Sequence, residues 1–443
     1  MLVSKTIQNL KDNLVRKSIN VLILRVLGAT LQIAVLLLIT NFAEEELVGK
    51  YNYFNSIIIL LGAVILLGMN TAFLQFSGKL EAIGDFKEIV FLYRKKIIIL
   101  ISTFSLSLLI YLALAYLFNI PYLQDPEIKF VLDKVFCALL PYTLTLLNIE
   151  VLRALDFLYL SELLRNIGRF GLLLLFVLVL ILKDNIIYIL DAFILSFVVL
   201  ALISTFVIIY RFWSFKPLKA SKKIGFREII KTSFPMSFGL LSLLIMQSVD
   251  VYVLELYYSF TVVAYYGVAI KISSVVAIIL SSINATIAPK ISKLFFGENM
   301  QELRKVILKA TTLNMILTVP LILFIILFSD LILSFFGESY VIAKQALYII
   351  LFGQTINAFC GPVGLYLNMT GKQVLFQKIL IFALIINLGM NFILIPKYEM
   401  IGASISTAFS FIFWNIGGLI LVYKKDKVNL SLFNFNKIRS FRR

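Results

Sequence analysis

Three stretches of this chain, residues 97–124, 345–371 and 400–423, carry no charged side chain. Each exceeds the roughly 18 mostly apolar residues that mark a membrane-crossing helix. In lipid every backbone N–H and C=O must be satisfied within the protein, so runs of this length become helices. Composition agrees with them. Charged residues make up 15 % of the chain, hydrophobic residues 61 %, and the mean hydropathy is +0.98. A soluble domain carries about 25 % charged residues. The sequence therefore predicts an all-α, multi-pass membrane protein and excludes one or two ordinary soluble domains.

Several chemistries fall with the residue counts. There is no histidine, hence no histidine general base, nucleophile triad or metal site. The two cysteines, Cys137 and Cys360, lie in apolar stretches and read as buried, inert thiols. No catalytic residue, metal site or cofactor is expected. The first 18 residues lack an apolar core beside a small-residue cleavage site, unlike a cleaved leader. Leu2, Ile7, Leu10 and Leu14 instead recur at helical spacing among Lys5, Lys11, Arg16 and Lys17, a pattern for a short amphipathic helix on the inner leaflet.

Hydropathy read against charge predicts twelve spans, at 19–42, 51–76, 96–118, 130–152, 162–182, 186–210, 229–254, 262–288, 310–334, 343–369, 373–395 and 400–423. With both termini cytoplasmic, 33 of the 41 basic residues fall in inner segments, among them Arg153, Arg165 and Arg169. Six fall outside, and Arg25 and Lys271 remain within spans. One span more or fewer would scramble this alternation, so count and orientation support each other. The net charge of +17 is then a topology signal; anionic lipid suffices as its partner, and nucleic acid is not implied.

The basic linker from Trp213 to Arg227 leaves six spans on each side. An N-terminal lobe, 1–212, and a C-terminal lobe, 213–443, are expected. Six is even, so the lobes enter the membrane in the same direction, as parallel repeats do. At an offset of 215, Val48, Tyr51, Ile57 and Thr71 fall on Val263, Tyr266, Ile272 and Thr286.

Ionisable groups within spans carry the functional signal, because one near the bilayer centre costs about 2.5–3.5 kcal/mol even on the mildest scale. Arg25 and Lys271 suit phosphate, arginine as a bidentate fork and lysine as a point charge. Snorkelling of Arg25 and an ion pair between Lys271 and Asp250 are the bland alternatives. Asp250, near the outer end of the seventh span, is a candidate ion-coupling residue. At the repeat offset Arg25 corresponds to Leu240 and Lys271 to Ser56, so the scaffold does not account for either charge. Polar residues such as Asn55, Asn148, Gln354, Asn357, Asn387 and Asn391 read mostly as interhelical hydrogen bonders. Pro141, Pro235, Pro320 and Pro362 suggest bent, mobile spans. The 39 Phe and 20 Tyr are expected mainly at lipid and interface.

Certain stretches also carry a resemblance. Leu36–Tyr53 joins a small acidic loop to a Gly-x-Tyr start of the second span. Ser233-Phe234-Pro235 opens the seventh span and Asp250 closes it, followed by Val263–Ile272 and Ile287-Ala288-Pro289. Then come Phe336-Gly337-Glu338-Ser339-Tyr340, Leu394-Ile395-Pro396-Lys397-Tyr398 and the run Ile401–Thr407. In order and spacing the chain resembles the polysaccharide repeat-unit flippases (Wzx type, the O-antigen and capsule translocases) of the multidrug/oligosaccharidyl-lipid/polysaccharide (MOP) exporter superfamily. The resemblance implies two six-helix bundles in a V, alternating access and a central cationic cavity. It also implies a bacterial inner-membrane location, an undecaprenyl-diphosphate-linked glycan as cargo, and a polysaccharide polymerase and chain-length machinery as partners. In the related flippase of the peptidoglycan precursor, basic residues of the first and eighth spans line the cavity, and Arg25 and Lys271 occupy similar places. The chain departs from that relative in having twelve rather than fourteen spans and fewer arginines in the first two.

Two other readings compete. A multidrug or cation antiporter of the same superfamily favours acidic cavity residues, whereas the charges within the spans are mainly basic. A glycan polymerase or ligase needs a large outer loop bearing catalytic groups, and none is visible in the sequence.

Overall fold

The computed structural model describes residues 2–69, 73, 76, 86–118, 120–155, 157–213, 225–428 and 430. Every regular element among them is helical. Part of the second predicted span, most of the linker after Trp213 and the basic C-terminal tail lie outside the described residues.

The first half contains α1 (Leu2–Phe42), α2 (Glu45–Leu66) and α3 (Phe86–Leu112) with a π turn at Ala113–Leu117. It continues with α4 (Pro126–Ala154), α5 (Leu158–Leu182) and α6 (Ile189–Trp213). The amphipathic segment expected as a separate helix is the beginning of α1, which runs unbroken because no Pro or Gly interrupts it before Gly28. Glu45 and Glu46 start α2, where carboxylates favour the positive helix end. At the start of α4 the Asp125 carboxylate accepts the Glu127 and Ile128 N–H groups at 2.9 and 3.2 Å, and Pro126 fills the first position, where no N–H is needed.

The second half comprises α7 (Phe226–Tyr257), α8 (Phe260–Phe296), α9 (Met300–Leu327), α10 (Lys344–Cys360), α11 (Val363–Met369) and α12 (Gln373–Asp426). Together α10 and α11 form one span bent by 44°. The break is at Gly361, whose φ of +75° suits glycine alone, and Pro362.

Continuous as it is in hydrogen bonding, α12 is two spans. Pro396 and the non-helical Glu399 (φ 51°) interrupt it. Asn387 donates to Ser406 and Ser410, 19 and 23 residues on, which a straight helix would hold roughly 30 Å or more away. The chain doubles back there as a helical hairpin, so tight that a Cβ on Gly402 would strike the Leu394 carbonyl.

Among the described residues nine helices are long and apolar enough to cross a membrane, and the bent pair is a tenth. The hairpin supplies one more crossing, and the 32-residue α7 occupies the seventh predicted span. The protein is an all-α, multi-pass membrane protein with the element sequence expected of twelve spans. It divides into two compact units, Met1–Leu241 and Ser242–Arg443, with the division inside α7.

Each unit has its own core. In the first, Phe193 packs edge-on against Tyr51 and Phe54, and Phe197 against Tyr142. In the second, Ile291, Leu303, Ile307, Tyr366 and Val422 form a cluster that also takes in Val428 and Leu430 beyond the end of α12. Aromatic residues are thus not confined to the lipid face: Tyr266, Tyr340, Tyr366 and Phe54 are among the largest fully buried side chains. Cys360 is buried as expected, whereas Cys137 is exposed on α4.

Candidate functional site

The interior of the first unit is organised by charges on α5. This helix contains a π turn, Leu163–Gly168, between Glu162 and Arg169. Seven residues are nearly two α-helical turns, so an unbroken helix would place these two side chains on one face. The wider π turn winds fewer degrees per residue and separates them.

Glu162 meets α1. Its buried carboxylate accepts Arg25 Nε at 3.1 Å and the Arg25 terminal nitrogen at 3.2 Å, the fork geometry of a strong arginine–carboxylate pair. Asn166 Nδ2 adds a third hydrogen bond to Glu162 at 3.1 Å. The approach of α1 to α5 is close here, since a Cβ on Gly28 would stand 2.5 Å from Asn166 Cβ.

Arg169 turns instead toward α2, α4 and α6. Its guanidinium lies over the rings of Tyr142, Phe170, Phe193 and Phe197, with centroids 5.0–5.9 Å away. One terminal nitrogen donates to Asn55 Oδ1 at 3.3 Å. No carboxylate pairs with it among the described residues. Between these levels Arg165 is ion-paired with Glu150 of α4. On α3, the buried Lys96 places its ammonium on the Met69 carbonyl and over the Phe73 ring.

The second unit centres on Asp250, 1 % exposed on α7. Tyr266 of α8 donates to its Oδ2 at 2.5 Å, Thr407 of α12 donates to the same oxygen at 3.1 Å, and the Val251 N–H meets Oδ1 at 3.0 Å. Nearby in sequence to Thr407, Ser406 and Ser410 receive the Asn387 amide, and Asn391 donates to Asn387 Oδ1 at 3.2 Å.

The expected site residues are therefore placed as follows. Arg25 is in the first unit, paired with Glu162. Asp250 and Lys271 are in the second, and Asp250 is held by the hydroxyls of Tyr266 and Thr407 and by its neighbour's N–H. Lys271 is half-buried on α8, five residues past Tyr266. That spacing rotates it about 140° from the Tyr266 face. Arg165 and Arg169, counted by the charge tally with the inner segments although the predicted span 162–182 includes them, lie within α5. Their signal in the sequence was the spacing Glu162, Arg165, Arg169 immediately ahead of an uncharged helix. No group of three His, Cys, Asp or Glu that could hold a metal ion occurs among the described residues.

Comparison with known proteins gives a consistent picture. The family model described as "Polysaccharide biosynthesis protein" matches residues 14–295, and the MatE model matches residues 235–393. A probable low-salt glycan biosynthesis flippase, Agl15 of Haloferax volcanii, is 26 % identical over 163 residues, 37 % of this chain. The chain covers only 34 % of that relative's length. Among solved structures, an inward-facing multidrug resistance MATE family transporter of the MOP superfamily matches with a TM-score of 0.71 and 16 % identity, over 91 % of this chain and 98 % of the other. The lipid II flippase MurJ in an inward closed conformation matches with a TM-score of 0.71 and 17 % identity, over 92 % and 87 %. At these identities the likeness establishes the fold, that of MOP-superfamily transporters.

Proposed function

Because the chain belongs to the polysaccharide biosynthesis protein family, we propose that it is a flippase that moves a lipid-linked oligosaccharide across the cytoplasmic membrane. The carrier is undecaprenyl diphosphate, the glycan is a polysaccharide repeat unit of the O-antigen or capsule kind, and the direction is from the cytoplasmic to the outer face. Both termini are cytoplasmic. The halves 1–212 and 213–443 rock to expose the cargo alternately, and the product passes to a polymerase and its chain-length machinery. The observation that supports this reading is family membership together with basic side chains inside spans, Arg25 and Lys271, which suit an anionic cargo.

In this reading the diphosphate meets Arg25 and Lys271. Arg25 reaches it by leaving Glu162, so cargo binding and opening of the α1–α5 contact are linked. Asp250 is the ion-coupling group. Its carboxylate sits with the hydroxyls of Tyr266 and Thr407, an oxygen set that suits a proton or a hard cation such as sodium.

A second reading, a multidrug antiporter, is favoured by one observation, the MatE match over residues 235–393. Surface glycan separates the two. In a strain lacking the protein, lipid-linked repeats should accumulate on the inner face, and Arg25→Ala or Lys271→Ala should lower surface glycan at normal protein level. Full glycan display by both variants would overturn the assignment of Arg25 and Lys271 to the cavity, and drug hypersensitivity of a deletion strain with intact surface glycan would favour the antiporter.

A further inference from the structure

Four buried side-chain atoms of α1–α6 find no hydrogen-bond partner among the described residues: Asn52 Nδ2, Arg165 Nε, Arg169 Nε and Glu150 Oε2. Three of the four are N–H donors. A buried donor without an acceptor is costly, and a buried cation without a counter-ion more so. Arg25 and Arg165 have their carboxylates. Arg169 has none, only ring faces and the amide oxygen of Asn55. It lies at the middle of the 25-residue span Leu158–Leu182, and Asn55 at the middle of the 22-residue α2. Ring faces offset part of a cation's desolvation. They surround the guanidinium at 5.0–5.9 Å but offer no lone pair to its Nε–H, which still needs an acceptor.

On this ground, and resting on the flippase reading above, we propose that Arg169, with Asn55 and Asn52 beside it, binds a phosphate oxygen of the lipid-linked cargo at mid-membrane depth. Asn52 lies three residues before Asn55, and Arg165 four residues before Arg169. Because α2 and α5 cross in opposite senses, these donors form a column roughly 10 Å long by the helical rise, with Arg169 in its centre. Arg25 meets α5 about 10 Å lower, at Glu162, and is already neutralised. An anion crossing the bilayer needs its counter-charge at the centre, where water is absent and the interaction is least screened. Arg169 is half-buried as a residue while its Nε is sealed, so a phosphate oxygen reaches that N–H as the packing around it opens.

The test uses the full chain in lipid nanodiscs with geranylgeranyl diphosphate as probe, geranylgeraniol as the uncharged control and glucuronate as the carboxylate control. Binding is read by thermal shift and by titration. Arg169→Gln should weaken the diphosphate at least tenfold, and Arg169→Lys several-fold, since lysine keeps the charge and loses the planar fork. Asn55→Asp is the decisive variant. It supplies an internal carboxylate to Arg169, so the ligand-free protein should melt at the same or higher temperature while diphosphate affinity falls at least tenfold. Unchanged affinity in Asn55→Asp and in folded Arg169→Gln would overturn the assignment and leave the flippase reading standing on Arg25 and Lys271. A wild-type protein that binds none of the diphosphate would overturn both. Arg169-dependent binding of glucuronate without the diphosphate would overturn the phosphate assignment alone.

Discussion

The two halves of this molecule repeat a helical scaffold and hold it with different chemistry. In the first, helices are joined by ion pairs: Arg25–Glu162 between α1 and α5, Glu150–Arg165 between α4 and α5, Lys134–Asp191 between α4 and α6. In the second, apart from Lys344–Asp330 and Lys372–Asp426 at helix ends, the ties are amides and hydroxyls, such as Asn415 to Asn357, Asn387 to Ser410 and Thr407 to Asp250. The unpartnered buried atoms differ less. Three of the four in α1–α6 are N–H donors, whereas in the second half the carbonyl oxygens of Asn284, Asn391 and Asn415 stand alongside the Trp414 Nε1 donor. The first interior is short of acceptors, which suits an anion. The repeat-related tyrosines show how little sequence change separates the halves. Tyr266 donates to Asp250, but Tyr51 packs edge-on against Phe193, and the position equivalent to Asp250 is the buried Val35.

Breaking an ion pair in the first half should have the largest effect. Glu162→Ala leaves the Arg25 guanidinium without its fork partner beside a closely packed helix contact. Glu162 is buried but the Arg25 side chain is 39 % exposed, so a loss of up to about 3 kcal/mol is expected, the value of a charge-assisted hydrogen bond, measured as a fall in melting temperature in detergent. Replacing both partners, Arg25→Met with Glu162→Met, should recover most of that stability. If the double variant is no better than the single one, the pair does not hold α1 to α5.

Next in size is the packing beneath that pair. Gly28→Leu places a side chain where a Cβ alone would stand 2.5 Å from Asn166 Cβ. Overpacking of this kind costs about 1–3 kcal/mol, and because it pushes α1 off α5 it should also lower the cost of a subsequent Glu162→Ala. Additive losses in the double variant would separate the two contacts.

The contrast sharpens with Asp250→Asn. Asparagine keeps an acceptor for Tyr266 and Thr407, so melting should move little. Dependence of transport on a sodium or proton gradient should fall at least tenfold, about 1.4 kcal/mol of coupling. Gradient-driven transport at the wild-type rate in proteoliposomes would remove Asp250 from the coupling role.

The legible part of this structure was what local sequence encodes. Uncharged runs fixed the helices, and even the two spans fused in α12 were separable from Pro396 and the polar turn after it. Asp250 stood out because a lone carboxylate in an apolar run needs a reason. Its partners were not visible, since Tyr266 and Thr407 lie 16 and 157 residues away and a hydroxyl in a span has no fixed meaning. Arg169 was misplaced for a related cause. A charge tally counts a residue with an inner segment when arginines cluster, and it cannot see that a π turn carries Glu162 to one neighbour and Arg169 to another. Cys137 was expected inside because its surroundings are apolar, but in a membrane protein apolar surroundings describe the lipid face equally well.

The smallest expected effect tests whether the second half is tied by neutral groups at its end as well as its centre. Past α12, Lys427 turns the chain back with a φ of 56°, and Val428 and Leu430 enter the core. Thr311 of α9 donates to the Leu430 carbonyl at 2.9 Å, and Arg304 to that of Lys427 at 3.0 Å. Gly361, at the break between α10 and α11, touches the same place: a Cβ there would stand 2.5 Å from Thr311 Oγ1 and 2.7 Å from the Leu430 oxygen. Thr311→Val keeps the shape and removes the donor, so it should cost about 1 kcal/mol, the net value of one such hydrogen bond plus an unmet carbonyl. Protease sensitivity after Asp426 should rise with it, because the segment is held by few contacts and opens locally before the helices do. A variant as resistant as the wild type would show that burial of Val428 and Leu430 alone anchors the segment. The second half would then be closed by apolar packing at this end, with hydroxyl and amide ties confined to its centre.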